Sequence, residues 1–507
     1  MSIIIGINAY HADSSASIFI NGKLLFAIEE EKLNRQKHWA GIPSESIKAC
    51  LKFTGINAND VTDVSINSDP FSNLNKKIPY FLNNYIFGKK KYEIINRLKN
   101  KFSLKKYLLD ELNFNKDLKI HYIDHHLSHI ASSYFPSNFE EALAISVDGF
   151  GDFASINIAR CNKDRIDILK KVYFPHSLGI FYEMMTQLLG FKKYGDEYKL
   201  MGLSSYGKPN YVKKIKKNIF IEKKFLELNP KYFLHLKKDF SYKFQGIPNQ
   251  NDLFSEEIYK IFSKEEIQKN RSDIASSTQK IYEEYLINII NFSKKLYDSK
   301  NLCISGGCAL NSSANGKILD NTEIENIFVP YSPGDAGGSI GSALVVLQKK
   351  YNHQKIKNLL DPFLGPKFEN NQIEKEIEKI DKEKFKFEKI DDEILLCEKT
   401  AKNIAAGKIV GWFQGKIEFG ARALGNRSIL ADPRNQNIRE LINSKIKKRE
   451  DFRPFAPSIL SEHKSEWFNN DYSNLYMEAV LNIKKNKASQ VPAIVHVDHT
   501  CRLQSVH

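Results

Sequence analysis

His125-His126-Leu127-Ser128-His129 is followed, one strand later, by Ser146-Val147-Asp148-Gly149-Phe150-Gly151-Asp152, and these two stretches decide how the rest of the chain is read. The first closes a short polar strand, Ile120 to Asp124, and opens a helix expected over Leu127 to Tyr134. Four-residue spacing puts His125 and His129 one above the other on a single helical face. The second is an acidic, glycine-rich turn after the apolar strand Ala142 to Val147. Two imidazoles with a carboxylate nearby are a usual transition-metal donor set. Taken alone, such a histidine pair is more often packed or at the surface than a ligand. The acidic strand end favours ligation. His126 lies off the shared face and reads as packed.

Working outward, acidic or glycine-rich turns recur wherever a strand ends. Ile3 to Asn8 is an apolar strand, followed by the polar turn Ala9-Tyr10-His11-Ala12-Asp13-Ser14-Ser15 and strands Ala16 to Ile20 and Lys23 to Ile28. Small and hydroxyl side chains there let a backbone approach phosphate, and a histidine in such a turn suits a general base near neutral pH. A helix from Pro43 to Phe53 is expected, capped by Ser44, and then a strand from Val61 to Asn67. Ser155 to Ala159 and Arg165 to Tyr173 read as a hairpin, and His176 to Leu189 as a helix carrying Gly179 and Glu183 one turn apart. Gly190 to Pro209 reads as a charged loop with Glu197 and Lys199 between glycines. Ile274, Ile281, Tyr285, Ile289 and Phe292 recur at helical spacing over Asp273 to Leu296. Strand Asn301 to Ser305 then runs into Gly306-Gly307-Cys308-Ala309-Leu310-Asn311, a strand, glycine pair and helix that suit a nucleotide. Strand Ile324 to Pro330 ends at Ser332-Pro333-Gly334-Asp335-Ala336-Gly337, where Asp335 either reaches a cation or caps a helix. Residues 71–119 and 210–272, rich in lysine and aromatics, read as insertions.

Bulk properties narrow the field. With 507 residues, 42% hydrophobic and 27% charged, the chain is globular and long enough for several domains. No apolar run approaches the ~20 residues of a membrane span, and the N-terminus lacks the basic region of a signal peptide. Six scattered cysteines without a paired motif suit a reducing, cytoplasmic setting. The net charge of +15 admits a nucleic-acid partner, but lysine abounds throughout and accounts for it more simply.

Past Asp361-Pro362-Phe363-Leu364-Gly365-Pro366 the character changes to charged helix, and a second domain follows. It carries Glu418-Phe419-Gly420-Ala421-Arg422-Ala423-Leu424-Gly425-Asn426-Arg427 and, after the basic run Lys445 to Arg449, Arg453-Pro454-Phe455-Ala456-Pro457. Arginines framed by glycine and proline suit bidentate phosphate or carboxylate binding.

The histidine stretch, Ser305 to Asn311, Gly334 to Gly337, Glu418 to Arg427 and Arg453 to Pro457, in this order, resemble the O-carbamoyltransferases of the NodU/CmcH type. That resemblance implies an α/β chain with two domains. Residues 1–355 would form an actin-like ATPase domain, a duplicated ribonuclease-H-like unit similar to the tRNA threonylcarbamoyl-transferring ATPases. Residues 356–380 would link it to a YrdC-like domain over 381–507. The implied activity is ATP-dependent. Carbamoyl phosphate and ATP give carbamoyl-adenylate, and the carbamoyl group passes to a hydroxyl of a sugar or natural product. The implied cofactors are Fe(II) and ATP with Mg. The implied metal ligands are His125, His129, Asp148 and Asp335, with His11 as base. Gly179, Glu183, Gly306, Gly307 and Asn311 would hold the nucleotide. Arg422, Lys447, Arg453 and Arg502 would hold carbamoyl phosphate. A homodimer is implied, and membrane and nucleic-acid partners are not. Relatives of this type continue past His507 and usually carry glycine in place of His499, so the second domain is expected to be incomplete. The alternatives are a tRNA threonylcarbamoyl-type modification enzyme and a truncated nucleotide- and metal-binding relic.

Overall fold

The computed structural model describes residues 2–85, 103–222, 225–236, 246–248, 251–351, 359–469, 472 and 474–506. They fall into two compact units, Met1–Asp361 and Pro362–His507.

Two five-stranded sheets organise the first unit. One holds β1 (Ile3–Asn8), β2 (Ser15–Ile20), β3 (Lys23–Glu29), β4 (Asp63–Ile66) and β5 (Lys119–Tyr122), in the order β3-β2-β1-β4-β5. The other holds β6 (Glu141–Gly151), β7 (Ala154–Asn162), β8 (Arg165–Tyr173), β9 (Asn301–Ser305) and β10 (Asn326–Phe328), in the order β10-β9-β6-β7-β8. In each, the opening strand takes the centre. It is flanked on one side by an antiparallel meander and on the other by two parallel strands. This repeated plan is the duplicated ribonuclease-H-like architecture of actin-like ATPases, within the α/β class. The central strands are covered on both faces, which is why β1 reads as a nearly unbroken apolar run with every residue buried.

Five helices position the site: α1 (His125–Tyr134), α2 (Leu178–Leu188), α3 (Glu197–Ser204), α4 (Arg271–Leu296) and α5 (Gly338–Tyr351). Helix α1 begins two residues before the expected start at Leu127. Asp124 is its N-cap and accepts the Leu127 N–H at 3.0 Å, so both histidines lie on the helix. Ser44 does not cap its helix as expected; it is the first residue of Ser44–Thr54. The N–H groups of Glu45 and Ser46 donate instead to the Glu30 carboxylate, at 3.1 and 2.7 Å. The expected loop from Gly190 to Pro209 contains α3, whose Lys199 pairs with Asp196 at 2.9 Å. Helix α5 packs against β1, β4 and α1. A Cβ on Gly341 would lie 1.9 Å from the Ser128 carbonyl oxygen, so bare glycine lets the two helix backbones touch. That contact carries Asp335, in the turn before α5, to the histidine face of α1.

The region 71–119 contains helices Leu74–Tyr85 and Leu104–Leu112, with 86–102 outside the described residues. The region 210–272 contains Val212–Ile219 and Lys264–Lys269, with 223–224, 237–245 and 249–250 outside them. Residues 352–358, around the start of the expected linker, are also outside.

The second unit starts at Pro362 because its first residues bond within it. The Phe419 N–H donates to the Pro362 carbonyl at 2.8 Å, and the Gly365 N–H to that of Ile417 at 3.0 Å. Helix Asn370–Ile377 lies within the span expected as linker. Strand pairs Val410–Phe413 with Arg427–Leu430, Ser458–Leu460 with Gln504–Val506, and Leu481–Asn482 with Thr500–Cys501 complete its described ladders. Phe468, Leu481, Ile483, Val491, Cys501 and Leu503 form one core. His499 sits at φ +60, a left-handed conformation in which glycine is at home. All six cysteines are free. No helix among the described residues is long and apolar enough to cross a membrane.

Candidate active site

Four side chains converge at the end of the second sheet. His125 Nε2 and His129 Nε2 lie 3.1 Å apart, and each stands 3.1 and 3.0 Å, respectively, from Asp148 Oδ2. Asp335 Oδ1 lies 3.5 Å from His125 Nε2 and 3.4 Å from His129 Nε2. These four atoms offer a common metal position. Ligand atoms about 2.1 Å from one ion stand about 3.0 Å apart in an octahedral arrangement and about 3.4 Å apart in a tetrahedral one. The observed separations match those edges, so the residues fit a divalent transition metal.

Charge supports this fit. Burial disfavours a charged His129 ring, but Asp148 and Asp335 outweigh it and hold the group up at about 9. His125 is likewise raised against burial by its bond to Asp148 and by Asp335. Burial opposes ionisation of Asp148 too, yet the two histidines hold its carboxyl well below the usual carboxylate range. Burial and the neighbouring Asp148 raise that of Asp335. Protons thus gather where a cation would otherwise balance two half-buried carboxylates.

The backbone around Asp148 is fixed from several directions. Its Oδ1 accepts the Gly149 and Gly307 N–H groups at 2.7 and 3.3 Å, which leaves Oδ2 facing the histidines. Gly306 adopts φ +89, and a Cβ there would meet the Val147 carbonyl oxygen at 2.2 Å. Its N–H donates to the Pro333 carbonyl at 2.8 Å, tying the glycine pair to the turn that carries Asp335. Ser177, the N-cap of α2, donates to the Asp148 carbonyl at 2.9 Å. Gly179, just inside that helix, would place a Cβ 2.9 Å from the Gly149 nitrogen.

His11 stands beside this centre, its ring centroid 5.2 Å from that of His125. Burial raises the Cys308 thiol, and the negative charges of Asp148, Glu197 and Glu183 add to it. The Asn311 amide is engaged internally. It exchanges bonds with Gln279 at 3.0 and 3.1 Å and accepts the Ala314 N–H at 3.0 Å. Gln279 also accepts the Tyr182 hydroxyl at 2.7 Å, so Asn311 braces the glycine loop against α4 and α2. His126 is packed, with Nδ1 2.8 Å from Ser146 Oγ, and burial lowers it to about 4.

A separate cationic cluster forms in the second unit. Glu418 Oε1 accepts the Leu424 and Asn426 N–H groups at 2.8 and 2.9 Å, curling the segment that presents Arg422. Burial pushes the Arg422 guanidinium down to about 10, partly offset by Glu478. Arg502 is driven well below the usual range by burial and by the positive fields of Arg422, Arg449 and Arg453. Guanidinium groups whose positive fields overlap in this way suit an anion. Asn443, fully buried, holds the Arg449 guanidinium and the Arg453 backbone. It accepts Arg449 Nε at 2.6 Å and donates to the Arg453 carbonyl at 3.1 Å. Lys447 closes the widened helical turn Ile442–Lys447 beside them in sequence. Arg449 and Asn443 escape sequence reading; the signal for Arg449 is present but diluted within the basic run Lys445 to Arg449.

Comparison with known proteins bears on the family of the chain. A family model described as Carbamoyltransferase N-terminus matches residues 3–344, and one described as Carbamoyltransferase C-terminus matches residues 401–507. An uncharacterised Synechocystis protein is 35% identical, with 100% of this chain and 87% of that protein covered. The nodulation protein NolNO of Sinorhizobium fredii is 31% identical, with 98% and 70% covered. The 3'-hydroxymethylcephem-O-carbamoyltransferase of Streptomyces clavuligerus is 30% identical over 42% of this chain and 38% of its own length. With both halves matched in order, this chain is a transferase that belongs to the carbamoyltransferase family.

Proposed function

We propose that the chain transfers a carbamoyl group, at the expense of ATP, to a hydroxyl of a sugar or natural-product acceptor. The observation that carries this reading is the convergence of His125, His129, Asp148 and Asp335 beside His11. In the second unit, taken as YrdC-like, Arg422, Lys447, Arg453 and Arg502, joined by Arg449, neutralise the oxygens of carbamoyl phosphate. Water releases phosphate and carbamate. The carbamate oxygen attacks the α-phosphorus of ATP, pyrophosphate leaves, and carbamoyl-adenylate forms. In the first unit, the Gly306-Gly307 loop, Gly179 and Glu183 hold the adenylate, with Asn311 bracing the loop. The acceptor oxygen attacks the carbamoyl carbon, the bond to AMP breaks, and His11 takes the hydroxyl proton. His125, His129, Asp148 and Asp335 would hold Fe(II), which would supply Lewis acidity toward the carbamoyl carbonyl.

Incubation with carbamoyl phosphate, ATP, Fe(II) and a panel of glycosides, read by mass spectrometry, tests this. The expected product is an acceptor heavier by one carbamoyl group, with AMP formed in step. AMP formation that does not require carbamoyl phosphate contradicts the reading.

A further inference from the structure

Four residues past the ligand Asp148, the same hairpin presents a second carboxylate. Asp152 lies at its tip with φ +47. Its Oδ2 accepts the His125 N–H at 3.0 Å and the Asp69 N–H at 2.7 Å. Its Oδ1 accepts the Ser68 hydroxyl at 3.1 Å, and its carbonyl accepts the Asn73 amide at 2.8 Å. The first N–H groups of a helix have no partner within the helix. In α1, Asp124 takes that of Leu127, and Asp152 takes that of His125. The cap from Asp124 comes from the residue just before the helix. The bond from Asp152 comes from the hairpin that also carries Asp148.

We propose that Asp152 is the positioning residue that sets the distance between the ligands His125 and Asp148. This rests on the metal reading of the site and goes beyond it. Without the carboxylate, α1 and the hairpin are no longer joined at the residue where both meet the metal. A ligand cage tolerates errors of only about 0.2 Å in bond length. Outer partners that orient ligands are commonly worth about 10- to 100-fold in metal affinity. The Ser68–Asn73 segment shares the clamp, since Ser72 also donates to Asp124, and it leads directly into helix Leu74–Tyr85. The start of the insertion is therefore bonded to the same helix end.

Anaerobic titration of the full chain with Co(II), followed by ligand-field absorption, reads the effect, with thermal melting recorded in parallel. Asp152→Ala is expected to weaken Co(II) binding about 10- to 100-fold and to alter the band shape. Asp152→Asn keeps an oxygen for both N–H groups and is expected to stay within about threefold of the unaltered chain. Where Asp152→Ala does not fold, Asp152→Glu decides. Its carboxylate is displaced by one methylene, so weakened binding in a folded chain supports the role. Unchanged affinity and spectrum in folded Asp152→Ala or Asp152→Glu overturns the role while leaving the metal reading intact. Absence of Co(II) binding by the unaltered chain overturns the metal reading, and the role with it.

Discussion

Gly151→Ala is a one-methyl test of where the His125 ring stands. A Cβ at Gly151 would lie 1.9 Å from His125 Cδ2, 2.1 Å from Cγ and 2.6 Å from Nε2. Ordinary carbon–carbon contact is about 3.5 Å, so the ring must retreat by about 1.6 Å. Metal–ligand bonds tolerate about 0.2 Å, so the retreat removes His125 as a ligand. If four-ligand sites of this kind bind with about 10–16 kcal/mol, one ligand's share is about 3 kcal/mol, or on the order of a hundredfold in affinity. Overpacking also costs about 1–3 kcal/mol of stability, so the melting temperature should fall as well. Gly149→Ala is the internal control, because a Cβ there meets nothing within 4 Å. Anaerobic Fe(II) or Co(II) titration of the three proteins, with melting curves alongside, gives the readout. Gly151→Ala binding within about threefold of the unaltered chain refutes the ring position. Equal weakening in both variants refutes the steric argument.

Other consequences concern sites apart from the metal. Asp63 is fully buried and bonded to His121 at 2.7 Å and to Lys350 at 2.7 Å. Burial raises its carboxyl, but these partners outweigh it and hold the group well below the usual range. A depressed carboxyl contributes stability above its unfolded value near 4 and loses it as the pH falls toward the folded value. Asp63→Asn should therefore cost about 3 kcal/mol in urea melts at pH 7, with the difference shrinking below about pH 4. His499, exposed at φ +60, should gain from glycine: His499→Gly is expected to add about 1 kcal/mol, seen as a higher melting temperature. Arg502→Ala removes one guanidinium from the anion cluster. It should raise the KM for carbamoyl phosphate about 10- to 100-fold and leave metal affinity unchanged.

The candidate metal site is largely legible from residue order because its four residues sit where local rules place them. His125 and His129 share a helical face, Asp148 lies toward the turn end of β6, and Asp335 opens the turn before α5. The start of α1 is misplaced by two residues when Asp124 is read as strand; its carboxylate already caps the helix. Ser44 misleads in the opposite sense. A serine before an apolar periodic run predicts a cap, but the distant Glu30 supplies the acceptor instead. Nor is the common plan of the two sheets visible in sequence, since topology repeats where residues do not. Asp152 reads only as the close of an acidic turn, because its partners, the N–H groups of Asp69 and His125, come from segments distant in sequence. Arg449 is hidden among lysines until Asn443 and Arg502 are placed around it. Local spacing thus shows the candidate ligands, while the groups that hold them in place emerge only from tertiary contact.

Anomalous diffraction from crystals of the full chain grown anaerobically with Fe(II), collected at the iron edge, tests the centre most directly. A single peak about 2.1 Å from His125 Nε2, His129 Nε2, Asp148 and Asp335 is the predicted result. No peak there, or a peak bound by other residues, contradicts it.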